Sequence, residues 1–168
     1  MFTVNNSVIY SGHGVCRIVD ITEQKIGATL MKYYVLKPIG DENSTLYVPV
    51  NNDDLVSKMH KILSAEEIYS IINSMPDTAT KWLTDENMRR ESYKEILTSG
   101  DRAEIMRAIK GVYLHAQEQK KLGRKLHIAD ERFMKDAEKL LYEEFAYVLN
   151  IKREDVLPLI AKQLDKYE

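Results

Sequence analysis

The stretch VIYSGHGVCRIVDI, Val8 to Ile21, decides how the first third of the chain folds. It contains two runs of strand-forming residues, Val8–Tyr10 and Val15–Ile21, on either side of the tetrapeptide SGHG. Such runs, separated by a short loop that contains glycine, are typical of a β-hairpin. The two glycines supply the positive φ angles that a tight turn needs. We therefore predict that the two runs pair as antiparallel strands.

The same stretch holds His13 and Cys16, the only cysteine of the chain, and so raises the question of a reactive or metal-binding loop. A structural zinc site needs about four ligands, and the remaining histidines have no partner at a ligand spacing: His60, His115 and His127. A nucleophilic thiol needs a base and electropositive surroundings, and across a turn the two side chains need not face each other. We therefore predict no metal, no cofactor and no catalytic residue, with Cys16 as a small strand residue.

Two further strand-forming runs, Tyr33–Leu36 and Leu46–Val50, follow the hairpin and are bounded by glycine, asparagine and aspartate. Short strands at this spacing predict a small curled antiparallel sheet or barrel. After Lys61 the pattern becomes helical. Two capping-box sequences, Ser64–Glu67 and Asp101–Glu104, mark helix starts, because each pairs an N-cap side chain with an acid three residues later.

Apolar residues then recur at helical spacing, which predicts amphipathic helices with one buried face. The expected core positions are Ile68, Ile71, Ile72, Met75, Ile105, Ile109, Val112, Ala116, Ala137, Leu140, Leu141, Phe145 and Val148. The expected helices run from Ser64 to Met75, from about Ala79 to Leu97, from Asp101 to Gly123, from Ala129 to Leu149 and from Val156 to Leu164. The predicted fold class is α+β, with a small β-barrel or sheet module over residues 1–56 and an all-α module of about five helices over residues 62–168.

Composition limits the function classes. The chain has 168 residues, of which 44% are hydrophobic and 30% charged, which is ordinary for a globular protein. One cysteine cannot form an internal disulfide, and no apolar run approaches the ~20 residues that span a bilayer. No glycine-rich phosphate-binding motif is present. We therefore expect a soluble, cytoplasmic protein that is not an enzyme.

Charge is distributed unevenly along the chain. The net charge of −2 excludes a uniformly basic coat. Between Arg102 and Lys125, however, seven basic residues accompany two acidic ones, which gives a local charge of +5. Arg89, Arg90 and Lys94 form a second basic group on the predicted second helix. Such clusters suit the phosphate backbone of a nucleic acid, although ordinary helices also expose many charges.

The single tryptophan, Trp82, falls near the start of the predicted second helix. A position in a core or between domains is the more common role of such a residue. An aromatic side chain can instead be an apolar wedge that is pushed against a base step from the minor groove. Both interpretations stay open on the residues alone.

Four stretches, in this order, resemble the CarD/CdnL family of bacterial transcription regulators. They are FTVNNSVIYSGHGVCRIVDI from Phe2, KYYVLK from Lys32 with TLYVPVNN from Thr45, LTSGDRAEIMRAIKGVY from Leu97, and KLHIADERFMKDAEKLLYEEFAYVL from Lys125. Each motif alone is weak, but the ordered set is specific and covers nearly the whole chain.

The resemblance implies a Tudor-like first module that docks on the β subunit of RNA polymerase. It also implies that the helical module lies on promoter DNA at the upstream edge of the transcription bubble. There a tryptophan wedges into the minor groove, basic residues hold phosphates without sequence-specific contacts, and the lifetime of the open complex changes. The candidate DNA-binding residues are Trp82, Arg89, Arg90, Lys94 and Arg132, joined by Lys121, Arg124 and Lys125 of the basic segment. The candidate polymerase-binding residues are Gln24, Lys25, Tyr47, Val48 and Pro49.

The sequence departs from the family pattern at three places. Leu83–Glu86 separates Trp82 from the basic pair, Tyr47 replaces an arginine that serves polymerase docking in some members, and His127 replaces a frequent serine. Two other functions stay open. One is an adaptor whose β module binds a partner protein by strand addition, without DNA. The other is a cysteine enzyme at the histidine–cysteine turn.

Overall fold

The computed structural model describes residues 1–78 and 80–164 (of Leu164, the backbone only), which fall into two compact units. The first unit is Met1–Ile62 and the second is Leu63–Glu168. The first is built on an antiparallel sheet and the second from helices, so the predicted α+β class is confirmed. None of the helices within these ranges combines the length and the apolar character that crossing a membrane requires.

The described part of the first unit contains one five-stranded sheet in the order β4-β3-β2-β1-β5, and all neighbouring strands are antiparallel. The strands are β1 (Ser7–Tyr10), β2 (Gly14–Ile26), β3 (Thr29–Pro38), β4 (Leu46–Pro49) and β5 (Met59–Lys61). A short helix, α1 (Asp53–Val56), precedes β5. The core of this unit consists of Val8, Cys16, Ile18, Tyr34, Leu36, Val48 and Met59.

Strands β1 and β2 form the hairpin that the opening stretch predicts. Val8 lies opposite Cys16 in the antiparallel ladder. Gly12 and Gly14 adopt φ angles of 81° and 69°, a region that glycine enters without the steric cost that a Cβ atom would impose. The prediction of a glycine turn between two strands is confirmed.

The hairpin of β2 and β3 is longer than predicted. Both strands continue to a two-residue loop, where Ile26 lies opposite Thr29. Gly27, the first residue of that loop, has a φ of 63°, as a II′-type turn requires at this position. The outer half of the hairpin exposes nearly all of its side chains. No alternation between buried and exposed residues therefore marked it in the sequence.

Strand β5 was not predicted, because its three residues offer no strand pattern. It pairs with β1, where His60 lies opposite Ile9, and Met59 is its buried side chain. The pairing partner, not local propensity, thus determines this strand. Because β5 completes the sheet, the first unit runs to Ile62, past residue 56, where the sequence predicted its end.

The second unit contains five helices within the described residues, as predicted. They are α2 (Ala65–Ser74), α3 (Glu86–Ser99), α4 (Arg102–Lys121), α5 (Ile128–Leu149) and α6 (Arg153–Leu164). Ser64 and Glu67 form the predicted capping box at the start of α2. At the start of α4, the Asp101 side chain accepts from the Glu104 amide, and the Glu104 carboxylate pairs with Arg107.

Helix α3 starts later than the sequence predicted. It begins at Glu86, and the Asp85 side chain is its N-cap. Ala79, the predicted start, lies outside the described residues. The residues just before Asp85 are not helical, so Trp82 lies in a connection and not in a helix. Asp85 was the true start signal, because an N-cap carboxylate accepts from amides that have no partner inside the helix.

One core joins the helices of the second unit. The helix faces that the apolar spacing predicts are largely those that are buried. The buried residues of this core are Ile68, Ile72, Ile105, Met106, Ile109, Val112, Phe133, Ala137, Leu141, Phe145, Val156 and Ile160. Trp82, Tyr93 and Met134 are among the partly buried side chains that pack against it.

Candidate polymerase-binding surface and nucleic-acid interface

The histidine–cysteine turn holds its two side chains in different surroundings. Cys16 is fully buried, and its sulfur lies 3.7 Å from the Gly14 carbonyl oxygen. The His13 ring stacks on Tyr10, with 5.5 Å between ring centroids. Burial raises the pKa of the Cys16 thiol to about 11, so the reactive thiolate is scarce at neutral pH. Among the described residues, no cluster of three or more histidine, cysteine or acidic side chains could hold a metal ion.

The candidate polymerase-binding residues lie on two parts of the sheet: β4, which is an edge strand, and the outer end of the β2–β3 hairpin. Tyr47 on β4 is 52% exposed and contacts Tyr33 edge to face. Val48 is buried, so it offers a partner backbone atoms but no side chain. Gln24 and Lys25 are exposed near the hairpin loop. The side-chain role expected of Val48 is therefore corrected to a core role.

These two parts are close along the sheet. Pro49 lies opposite Tyr33, and the row that contains Gln24 is two residues further toward the loop. At ~3.4 Å per residue, this separation is about 7 Å. Ile26 and Leu30, at the loop, are 54% and 62% exposed. The edge of β4 and the hairpin loop can thus contact one partner surface with aromatic, apolar and polar side chains.

Trp82 lies in the connection before α3 and is partly exposed. Its ring stacks on His115 of α4, with centroids 3.7 Å apart and an interplanar angle of 13°. The indole also forms part of the wall of an open cleft of about 300 Å³ between this connection, α3 and α4. The ring is therefore partly packed and partly accessible, which combines the two interpretations that the sequence left open.

Arg89, predicted to contact phosphate, is only 5% exposed. Its Nε and Nη2 donate to the two carboxylate oxygens of Asp130 at 3.0 and 3.1 Å, and Nη1 donates to the carbonyl oxygens of Leu83 and Thr84. The bond to Asp130 raises the pKa of Arg89. The prediction for Arg89 is wrong, because its donors are buried and already have acceptors within the protein.

The predicted basic segment presents only part of its charge. Arg102 is buried and donates to both carboxylate oxygens of Glu144, at 2.8 and 2.9 Å. Lys110 donates to three carbonyl oxygens that follow α2, and Arg107 pairs with a glutamate on its own helix. The exposed cations of the segment therefore lie at its end: Lys120, Lys121, Arg124 and Lys125.

Three further predicted cations are exposed on α3 and α5. Arg90 pairs with Glu86 one turn earlier, and Lys94 lies 3.8 Å from Glu91. Arg132 follows Asp130 by two residues on α5 and points away from the core, since it is exposed while Asp130 is buried. These side chains remain available to a phosphate backbone.

Sequence reasoning missed the acidic partners of the two buried arginines. Asp130 also accepts a hydrogen bond from the Tyr93 hydroxyl at 2.6 Å. Burial, followed by that bond, raises the pKa of Tyr93. Glu144 also accepts from the Leu63 amide at 3.0 Å. Both acids lie in helices rich in charge, where no local pattern distinguishes a buried carboxylate from an exposed one.

A sheet unit with an edge strand, followed by a helical unit with exposed cations, defines a two-part binding protein. Residues 2–62 belong to the CarD-like/TRCF RID domain family, the RNA-polymerase-interacting domain found in CarD/CdnL and TRCF. The match coincides with the first unit, Met1–Ile62. The chain therefore carries an RNA-polymerase-interacting domain and has a role related to transcription. The resemblance noted in the sequence is confirmed over this unit.

Proposed function

We propose that this protein is a transcription regulator that bridges the RNA polymerase β subunit and promoter DNA at the upstream edge of the transcription bubble. In doing so it changes the stability of the open complex, by binding alone and without a chemical step. The observation that carries the proposal is the RNA-polymerase-interacting domain at residues 2–62. Trp82, accessible in a non-helical connection, and the exposed cations of the second unit support DNA contact.

The polymerase contact in this proposal uses the edge of β4 and the β2–β3 loop. An edge strand presents backbone donors and acceptors that a strand of another protein can pair with. Tyr47 adds an exposed aromatic ring beside that edge, and Lys25 adds a charge at the hairpin end. The replacement of an arginine by Tyr47 makes this docking more aromatic and less ionic.

The DNA contact acts on the open state. Unstacking a base step costs a few kcal/mol, and an inserted ring offsets part of this cost only while the step is open. A factor shifts the opening equilibrium by the difference between its affinities for the open and closed states. Four exposed cations at residues 120–125 give modest, salt-sensitive DNA binding. Polymerase binding therefore has to raise the effective concentration of the second unit at the promoter.

The test is the lifetime of promoter complexes with wild-type protein and with Trp82→Ala. Loss of one stacking ring is worth ~1–3 kcal/mol, so we expect the effect on lifetime to fall about fivefold or more. Tyr113→Ala is the matched control, because Tyr113 is an aromatic residue on α4 that is 54% exposed, and it should behave as wild type. Wild-type protein that neither alters the lifetime nor co-purifies with polymerase would contradict the proposal. Equal effects of wild type and Trp82→Ala would remove only the wedge.

The adaptor function stays as a second candidate, because the β4 edge could serve strand addition to any protein partner. An adaptor needs no DNA affinity. Binding of free duplex DNA, measured as a function of salt, separates the two functions. A salt slope that depends on the cations at residues 120–125 favours the regulator, and its absence favours the adaptor.

A further inference from the structure

The connection that carries Trp82 has no regular secondary structure, yet the Arg89 side chain holds its backbone. Arg89 Nη1 donates to the carbonyl oxygens of Leu83 and Thr84 at 2.9 and 3.1 Å. The same guanidinium lies over the Trp82 ring, with its central carbon 4.7 Å from the ring centroid. Arg89 thus contacts both the indole and the backbone that follows it.

Asp130 of α5 holds the remaining donors of this guanidinium. Its two oxygens accept from Nε and Nη2 of Arg89, and Oδ1 also accepts from the Tyr93 hydroxyl. The side chains of Arg89 and Asp130 are 6% and 0% exposed. Water therefore competes little with these bonds, and a bidentate pair of this kind fixes orientation as well as distance.

Helix α4 borders the same connection. His115 stacks on the Trp82 ring. A Cβ atom placed on Gly111 would lie 3.7 Å from the Cβ atom of Thr80, so the connection passes close to this helix. Side chains and backbone from α3, α4 and α5 together define the position of a segment that has no hydrogen-bond ladder of its own.

We propose that Arg89 and Asp130 are positioning residues for Trp82. Their buried pair presents the indole at a fixed distance from Arg132, which lies on α5 two residues beyond Asp130. The inference rests on the proposed function, in which Trp82 and Arg132 contact the same DNA. Arginine is needed because its planar fork meets the carboxylate and two carbonyl oxygens at once. The ammonium group of lysine is a single point and cannot satisfy all of these acceptors.

The first test uses Trp82 emission, since Trp82 is the only tryptophan. In Arg89→Lys, the acrylamide quenching constant should rise about twofold, as a half-buried ring becomes exposed by local opening. Arg102→Lys is the matched control, because it weakens the other buried arginine–carboxylate pair, which does not hold the Trp82 connection. It should leave quenching as in wild type. Equal quenching in wild type, Arg89→Lys and Arg102→Lys overturns the positioning role.

Asp130→Asn is the second variant, and it keeps the size of the side chain if Arg89→Lys does not fold. It removes the charge that holds Arg89, so it should raise quenching as Arg89→Lys does, and unchanged quenching again overturns the proposal. The lifetime of promoter complexes separates the two levels. If Trp82→Ala loses the effect and a folded Arg89→Lys keeps it, the positioning role fails. If quenching rises but Trp82→Ala acts as wild type, positioning holds and the wedge in the proposed function fails.

Discussion

Replacing Arg102 with alanine should destabilise the second unit far more than replacing Arg107, although both arginines lie on α4 and pair with a glutamate. The side chains of Arg102 and Glu144 are 7% and 0% exposed, whereas those of Arg107 and Glu104 are 45% and 43% exposed. Breaking a buried pair costs about 3–5 kcal/mol, because the remaining charge has no counter-ion and no water. Breaking an exposed pair costs about 0–1 kcal/mol.

The bonds that remain explain the size of this difference. In Arg102→Ala, the Glu144 carboxylate loses two charged donors and keeps the Leu63 amide at 3.0 Å. A domain is stable by only about 5–15 kcal/mol in total, so the loss is a large part of that stability. The double variant Arg102→Met, Glu144→Leu should recover most of it, because no charge is then left buried.

Urea unfolding followed by Trp82 emission measures these changes in the second unit, where Trp82 lies. The free energy of unfolding is expected to fall in the order wild type, Arg107→Ala, Arg102→Ala, with the double variant close to wild type. Equal losses in Arg102→Ala and Arg107→Ala would refute the reasoning. So would a double variant that is less stable than Arg102→Ala, since burial of an unpaired charge would then not be the main cost.

Three further predictions concern the thiol, the basic segment and the sheet edge. The Cys16 thiol has a pKa of about 11 in the fold against an ordinary 9.0, so its contribution to stability is complete below pH 9 and is lost as the pH rises through 11. Urea midpoints across this range should therefore fall more steeply in wild type than in Cys16→Ala, and a thiol reagent should react far faster after unfolding. Removing three exposed cations should flatten the dependence of log affinity for duplex DNA on log salt by about 2.7, at ~0.9 per phosphate: Lys121, Arg124 and Lys125. Tyr47→Ala should weaken co-purification with polymerase without loss of stability, since Tyr47 is exposed, whereas Val48→Ala should lower stability, since Val48 is buried; the reverse pattern would contradict the assignment of the edge.

Local signals in the sequence predicted those parts of the fold that depend on near neighbours. The turn at Gly12 and Gly14 and the capping box at Ser64 each need only residues within a few positions. Strand β5 and the two buried ion pairs depend on distant partners. Arg89 and Asp130 are 41 positions apart, and Arg102 and Glu144 are 42 apart. Charge patterning does not reveal burial, so both arginines looked like surface cations.

Arg89 and Arg90 show why a basic pair cannot be assigned to one role. Successive residues on a helix point about 100° apart. Arg89 is therefore directed toward Asp130 and the Trp82 connection, whereas Arg90 is exposed and pairs with Glu86. Only Arg90 is available to a phosphate.

The same geometry gives a reason for the four residues, Leu83–Glu86, that separate Trp82 from the basic pair. Leu83 and Thr84 supply the carbonyl oxygens that Arg89 binds, and Asp85 is the N-cap of α3. The carboxylate of Glu86 has Arg90 as its partner. The two acids therefore have partners within the protein, which reduces the repulsion they would exert on a phosphate backbone. The segment that looked unfavourable for DNA contact in the sequence instead contains the bonds that present Trp82.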